Sequence, residues 1–432
     1  EVDRADRLPE YVARAFHTAL QGRPGPVVLA LPEDMLTTTT AAPVLPRVQP
    51  AESWPAPAAL QALQRMLDAA ERPLAIVGGP GWDAEAARAL QQFAERWQLP
   101  VACAFRFQDT FDNRHPLYAG DIGIGIAPAL AARVRAADLV LAVGVRLGEM
   151  TTGGYTLLQP PRPAQKLVHI HPGAEELGRV YAADLMLQAG MRAAAQSLRD
   201  LQPPATPRRS GWTAAVAADR AANLRADPIE PLDMAEVMRT VQRLVPEDTV
   251  YTNGAGNFSG WLHRFVRYPG LQHHGRTQLA PTNGAMGYGL PAAVAAALLQ
   301  PHRTVIHVAG DGDLLMTGQE MATASAHGAG RLVTLLVDNG SYGTIRMHQE
   351  REYPGRVSGS MLANPDFAAL ARAYGWQAER VDRTAEFEPA FARLLDAGRP
   401  GLLHLVLDVD RIGSRTTLEA IRSAALARRA GG

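Results

Sequence analysis

The chain is 432 residues long, more than one ordinary core can hold, so two or three domains are expected. Lys plus Arg and Asp plus Glu both number 43, which leaves no charge imbalance to point to nucleic acid or an anionic membrane as partner. A hydrophobic fraction of 47% excludes a disordered chain. The single cysteine excludes an internal disulfide and favours a reducing, cytoplasmic setting, and no apolar run approaches the roughly 20 residues of a membrane span.

The opening "EVDRADRLPEY" has no initiator Met and no signal-peptide core, so it reads as the middle of a longer protein. A helix is expected over 10–20 and a strand over 27–31. The Pro- and Thr-rich stretch 37–57 lacks any period and reads as a connector. Leu60, Leu63 and Leu67 then mark one helix face, and 74–77 is a buried strand ending in "GGPG". Leu90, Phe93 and Trp97 mark the next helix, with strands at 101–105, 139–145 and 167–170. Alternation of this kind predicts a parallel sheet covered on both faces. "QPPATPRRS" at 202–210 signals a second connector, and a further domain begins near 228.

That last domain shows clearer helix ends. Met234, Val237, Val241 and Leu244 share a face after Asp233, an N-cap with Glu236 three residues on. Thr317 and Glu320 fit a capping box, with Gly328 as the stop. Asn364-Pro365 opens a helix with Phe367, Leu370 and Tyr374 inward and Gly375 at its end. Strands are expected at 249–253, 304–308, 331–337 and 402–409. The fold class is therefore α/β and multi-domain: parallel sheets flanked by helices, a Rossmann-like middle domain and a C-terminal domain.

Two strand ends carry the chemistry. The strand at 304–308 runs into "GDGD", and the next one ends in "DNGSYG". Either tripeptide alone reads as an ordinary turn. On consecutive strands of a parallel sheet they instead place Asp311, Asn339 and the Ser341 carbonyl where half an octahedron of hard oxygens would suit Mg²⁺, with a diphosphate and water completing it. Gly310 and Gly312 would let backbone approach the phosphates, and a helix starting near Thr317 would direct its positive end towards them.

"GDGDLLMTGQEMATA…LLVDNGSYG" resembles the thiamine-diphosphate-binding signature, with Asp338 standing where the first of two Asn residues is usual. The resemblance runs over essentially the whole chain, to the acetolactate synthase, benzoylformate decarboxylase and pyruvate oxidase superfamily. It implies a C-terminal diphosphate-binding domain, thiamine diphosphate and Mg²⁺ as cofactors, and Asp311, Asn339 and Ser341 as metal ligands. "TNGAMGYGLPAAVAAAL" is similar to the segment under the cofactor's aminopyrimidine. By that match Met286 is the apolar wedge and the Gly284 carbonyl accepts from the exocyclic amine. "NGAGNFSGW" resembles the diphosphate loop, giving Gly256 and Asn257, and Gly310, Gly312, Asp313 and Tyr342 complete the implied cofactor contacts.

The same resemblance divides the chain into 1–36 as the end of a pyrimidine-binding domain, linker 37–55, central domain 56–200, linker 201–228 and diphosphate domain 229–432. The family's catalytic glutamate belongs to the pyrimidine domain, so none is assigned. In the central domain "IVGGPGW" and "AVGVRLGEMTTGG" fall where acetolactate synthases contact flavin; glycines there are also plain turns, and FAD is not favoured. His348 falls where acetolactate synthases carry a Trp lining the acceptor pocket. His169 and His171, and His273 with His274, lack partners at ligand spacing and read as structural, as does Cys103. The implied activity is decarboxylation and carboligation of a 2-oxo acid, in a homodimer or homotetramer with shared active sites. The alternatives are a benzoylformate-decarboxylase-type enzyme or a non-catalytic cofactor-binding or regulatory chain.

Overall fold

The computed structural model describes residues 1–204 and 209–430. It divides into two compact units, Glu1–Ala104 with Leu117–Ala217, and Phe105–Pro116 with Ala218–Gly432.

The first unit holds six parallel strands: β1 (Pro73–Val77), β2 (Val101–Ala104), β3 (Tyr118–Ile122), β4 (Leu139–Val143), β5 (Lys166–His171) and β6 (Leu185–Gln188), in the order β3-β2-β1-β4-β5-β6. β1 and β4 are buried along their whole length, which explains their unbroken apolar sequences. The helix Ala84–Trp97 starts where the Asp83 carboxylate accepts from the Ala86 amide, ends at left-handed Gln98, and buries Leu90, Phe93 and Trp97 as the periodicity predicts.

The second connector is more structured than its composition suggests. Residues 205–208 of "QPPATPRRS" lie outside the described residues, but a helix follows at Ser210–Asn223. Its Trp212 donates to the Pro73 carbonyl at 2.9 Å and joins the core with Val216. Arg209, just before it, donates to the carbonyls of Leu67, Ala70 and Trp97, satisfying the ends of two helices at once. The expected strand at 27–31 does not form. The helix Leu8–Leu20 is present, but residues 24–32 are extended without a ladder partner among the described residues, and Val28 is 89% exposed.

The second unit holds another all-parallel sheet: β7 (Val250–Asn253), β8 (Gln278–Leu279), β9 (Val305–Gly310), β10 (Leu332–Asp338), β11 (Gln377–Val381) and β12 (Gly401–Val406), in the order β11-β12-β10-β9-β7-β8. Alternate residues feed two cores. Ile306, Val308, Val333, Leu335 and Val337 pack beneath the helices Met234–Leu244 and Thr384–Leu395. Val305, Ala309, Leu332 and Leu336 pack beneath Gly289–Leu299 and Phe367–Ala373. Both faces are covered by helices, and inside the strands the polar His307 and Thr334 pair with one another at 3.2 Å. The order reverses between β7 and β9, which opens a crevice at their carboxyl ends. Among the described residues, no helix is long and apolar enough to cross a membrane.

Candidate active site

Four loops of the second unit meet at that crevice: 254–257 after β7, 281–288 before the helix Gly289–Leu299, 310–314 after β9 and 338–344 after β10. Gly310 pairs with Val337 in the β9–β10 ladder, so "GDG" and "DNG" leave the sheet side by side, as their spacing predicts. The Phe258 ring fills the space where a side chain on Gly256 or Gly310 would go, 2.7 Å from either added carbon. Tyr342 does the same at Gly312, at 2.5 Å. These three glycines are needed because aromatic rings lie directly on the backbone.

Asp311 is buried. Its Oδ1 accepts from the Gly312 amide at 3.0 Å, and its Oδ2 accepts from Asn364 Nδ2 at 2.8 Å. The same Asn364 nitrogen donates to Asp338 Oδ1 at 2.8 Å, and Asp338 Oδ2 accepts from His404 Nε2 at 2.7 Å. Burial raises the Asp311 carboxyl above its ordinary value, and the neighbouring Asp338 raises it further. At Asp338 burial is outweighed by the bonds from His404 and the Gly340 amide, so its carboxylate is held low. Asn339 Oδ1 accepts from Ser341 Oγ at 3.2 Å, and the Ser341 carbonyl accepts from the Gly343 amide at 2.8 Å.

These oxygens fit a magnesium ion. Asp311, Asn339 and the Ser341 carbonyl are all hard donors, each oxygen keeps a lone pair beyond the bonds described, and Asn364 Oδ1 is buried with no partner among the described residues. A carboxyl raised by burial beside a second carboxylate is also short of positive charge. No group of three or more His, Cys, Asp and Glu side chains able to hold a metal occurs among the described residues, so a metal at this crevice would draw on amide and carbonyl oxygen.

Asp313 bonds to other loops than Asp311 does. Its Oδ1 accepts from the Ala255 amide at 3.1 Å and the Gly287 amide at 2.9 Å, tying together the two loops matched to the cofactor's ends. Burial pushes its carboxyl up to about 6 against those two bonds and the Arg106 charge. Asn257 also bridges elements: its amide donates to Thr344 Oγ1 at 3.2 Å and its side chain reaches Met347 Sδ at 3.5 Å. Gly284 takes a left-handed turn at φ +78°, and Met286 beyond it is 39% exposed, so it is not a core side chain. His348 stands exposed on the helix Gly343–Glu352, with no hydrogen bond or ion pair to the loops among the described residues.

Two helix-start expectations are corrected. Thr317 does not cap; its hydroxyl donates to the Gly287 carbonyl at 2.8 Å, and the next helix runs Glu320–His327 after Gln319. The helix nearest the site is the single turn Asp311–Leu314. Asn364 does not cap either, because its amide is engaged by the two aspartates, and Asp366 accepts from the Ala369 amide instead. Asn364, His404 and Arg106 are the residues the sequence reading missed. A histidine inside "LLHLV" and an arginine just after the apolar "VACAF" were the available signals.

The paired histidines keep structural roles. His169 Nε2 lies 2.9 Å from the Val145 carbonyl, and His171 Nδ1 is 3.0 Å from Gly173. His273 and His274 face Asp112 and Glu247. Cys103 is buried on β2. At the crevice between β1 and β4, where a dinucleotide's pyrophosphate would lie, Trp82 donates to the Gly78 carbonyl at 2.8 Å. A side-chain carbon on Gly79 would sit 2.0 Å from the Gly144 carbonyl oxygen, and one on Gly144 would sit 2.4 Å from Met191 Sδ. This close backbone packing by itself requires glycine at 79 and 144.

Comparison with known proteins agrees with this geometry. The family model described as thiamine pyrophosphate enzyme, C-terminal TPP binding domain, matches residues 254–405, and that of the thiamine pyrophosphate enzyme central domain matches 60–198. The acetolactate synthase isozyme 2 large subunit of Escherichia coli (strain K12) is 29% identical over 94% of this chain and 73% of its own length. The acetolactate synthase of Arthrospira platensis is 30% identical over 94% and 71%. The acetolactate synthase large subunit of Parasynechococcus marenigrum (strain WH8102) is 32% identical over 93% of this chain but 65% of its own length. A crystal structure from Mycobacterium smegmatis, assigned as a thiamin diphosphate-dependent enzyme, superposes with a TM-score of 0.75 at 24% identity, covering 94% of this chain and 75% of that one, which shows the shared fold. Two all-parallel sheets with a loop crevice at the carboxyl end of the second define an α/β protein of the thiamine-diphosphate-enzyme fold. The chain belongs to the thiamine pyrophosphate enzyme family, and acetolactate synthases are among its relatives.

Proposed function

We propose that the protein works as a thiamine-diphosphate- and Mg²⁺-dependent enzyme that decarboxylates and ligates 2-oxo acids, in the manner of an acetolactate synthase. The observation that carries the reading is the buried Asp311 carboxylate on the strand end next to that of Asn339 and Ser341, within the family-matched residues 254–405. Asp311, Asn339 and the Ser341 carbonyl would hold the metal, and the 254–257 loop would take the diphosphate. Met286, half-exposed beside Gly284, would support the bent cofactor from below. Bound there, thiamine diphosphate supplies the carbanion-stabilising chemistry that loss of carbon dioxide requires. His348 is the candidate on the acceptor side.

Met286, Tyr288, Leu315 and Met316 leave apolar surface exposed on these loops. We assign its cover to a second copy of the chain, so the active unit is a dimer or tetramer. Full-length protein, loaded with thiamine diphosphate and Mg²⁺ and offered a panel of 2-oxo acids, should release carbon dioxide and form ligated product, and should sediment as a dimer or larger. Release of no carbon dioxide from any 2-oxo acid by cofactor-loaded protein would overturn the assignment.

A further inference from the structure

Arg106 lies on the segment 105–116, which belongs to the second unit although it directly follows β2 of the first. The segment is firmly held. Gln108 donates to the His263 carbonyl at 2.8 Å and receives from Gln278 at 3.0 Å, while buried Asp109 accepts from Arg276 at 2.6 Å and from the amides of Thr277 and Gln278. From this support Arg106 reaches inward with φ +65°, a left-handed conformation that is strained for a non-glycine residue. Its guanidinium is buried, donates to the carbonyls of Pro281 and Gly254, and stacks 4.6 Å from the Phe105 ring.

Pro281 and Gly254 lie on the two loops that Asp313 also joins. Arg106 holds the carbonyls of Gly254 and Pro281, and Asp313 holds the amides of Ala255 and Gly287. Gly254 permits this, because a side-chain carbon there would lie 2.0 Å from the Asp313 carboxylate. One cation and one anion thus grip the same pair of loops, the cation at carbonyl oxygens and the anion at amide hydrogens. We infer that Arg106 and Asp313 act as one clasp that fixes the distance between the 254–257 and 281–287 loops and so preorganises the thiamine diphosphate site. Arg106 is a positioning residue in this arrangement and need not touch the cofactor. The inference rests on the proposed cofactor site for its effect on affinity, and on this chain's hydrogen bonds alone for its effect on the loops.

The test uses full-length protein and the variants Arg106→Met, Arg106→Lys, Asp313→Asn and Arg106→Met with Asp313→Asn. Calorimetry with thiamine diphosphate and Mg²⁺ should show the dissociation constant raised about tenfold or more in Arg106→Met, the scale of a lost charge-assisted hydrogen bond, and less in Arg106→Lys. The double variant should lose little beyond the worse single one, because the two groups act as a unit. Without any ligand, amide exchange at Ala255 and Gly287 should quicken in Arg106→Met while the amides of β9 and β10 keep their protection. Unchanged exchange at those two amides overturns the clasp whatever the cofactor does. Wild-type affinity in Arg106→Met overturns its link to binding, and loss of the whole fold in both Arg106 variants overturns it in favour of a general folding role. Wild-type protein that binds no thiamine diphosphate, with quickened loop exchange in the variant, refutes the cofactor reading and leaves the clasp standing.

Discussion

His404 Nε2 donates to Asp338 Oδ2 at 2.7 Å, and both side chains are largely buried at the end of the second sheet. The pair explains how an aspartate is accommodated at the start of the 338–344 loop. A buried carboxylate is costly unless a partner satisfies it, and His404 supplies that partner from β12.

Removing the partner alone should therefore cost more than removing both. His404→Leu should destabilise the protein by about 2–4 kcal/mol, while His404→Leu combined with Asp338→Asn should recover at least half of that loss. Urea unfolding of the wild type, both single variants and the double variant gives the comparison. A double variant as unstable as the sum of its singles would show that the two residues do not depend on each other.

Met286 calls for a different balance. A buried methionine cut back to alanine loses about 2–5 kcal/mol, but the 39% exposure of Met286 places it outside that range. Met286→Ala should unfold within about 0.5 kcal/mol of the wild type. Under the proposed function its turnover of 2-oxo acid should nonetheless drop well below the wild-type rate. A variant that is stable and fully active would remove Met286 from the site.

The parts of the site legible in the sequence are those made by single strands ending. β9 and β10 are mostly apolar, apart from His307 and Thr334, until "GDG" and "DNG", and adjacent parallel strands must bring those ends together. Asn364, His404 and Arg106 were not legible, because their partners are set by register and by loop path. β10 and β12 pair with Leu336 opposite His404, so Asp338, two residues on, shares that face; nothing in "LLHLV" names its partner. Thr317 and Asn364 fit capping patterns, but tertiary acceptors at Gly287 and Asp311 claimed their side chains. β3 and β6 went unrecognised because "YAGDI" is broken by glycine and "LMLQ" is too short to show a period.

His263 sets a pH limit on the fold. It is buried in the helix Ser259–Phe265 against the edge of Phe105, its Nε2 has no partner among the described residues, and burial with the nearby Arg106 charge pulls its pKa down to about 3. The folded value lies below the unfolded one near 6.5, so the unfolded chain takes up the proton first. The neutral histidine's contribution is thus complete above about pH 6.5 and declines as the pH falls from there towards 3, by about 1.4 kcal/mol per pH unit. His263→Leu should show a correspondingly shallower loss of stability between about pH 6.5 and 5 than the wild type. Parallel stability curves for the two proteins over that window would contradict a buried neutral imidazole at this position.

Asp311 tests the metal assignment most directly. Its carboxylate is the only charged member of the proposed ligand set, and it would bridge the sheet end to the diphosphate through Mg²⁺. Asp311→Asn keeps the shape; its single amide oxygen can accept from the Gly312 amide but not also from Asn364, and that lost bond is offset by the end of the electrostatic conflict with Asp338. The variant should therefore match or exceed the stability of the ligand-free wild type. Its affinity for thiamine diphosphate in the presence of Mg²⁺ should fall by about a hundredfold, the loss expected when a charged ligand leaves a divalent site. The two readouts move in opposite directions, so misfolding cannot mimic the result. Calorimetry that returns the wild-type affinity for the folded variant would take Asp311 out of the metal site, and the proposed arrangement of Asn339 and Ser341 with it.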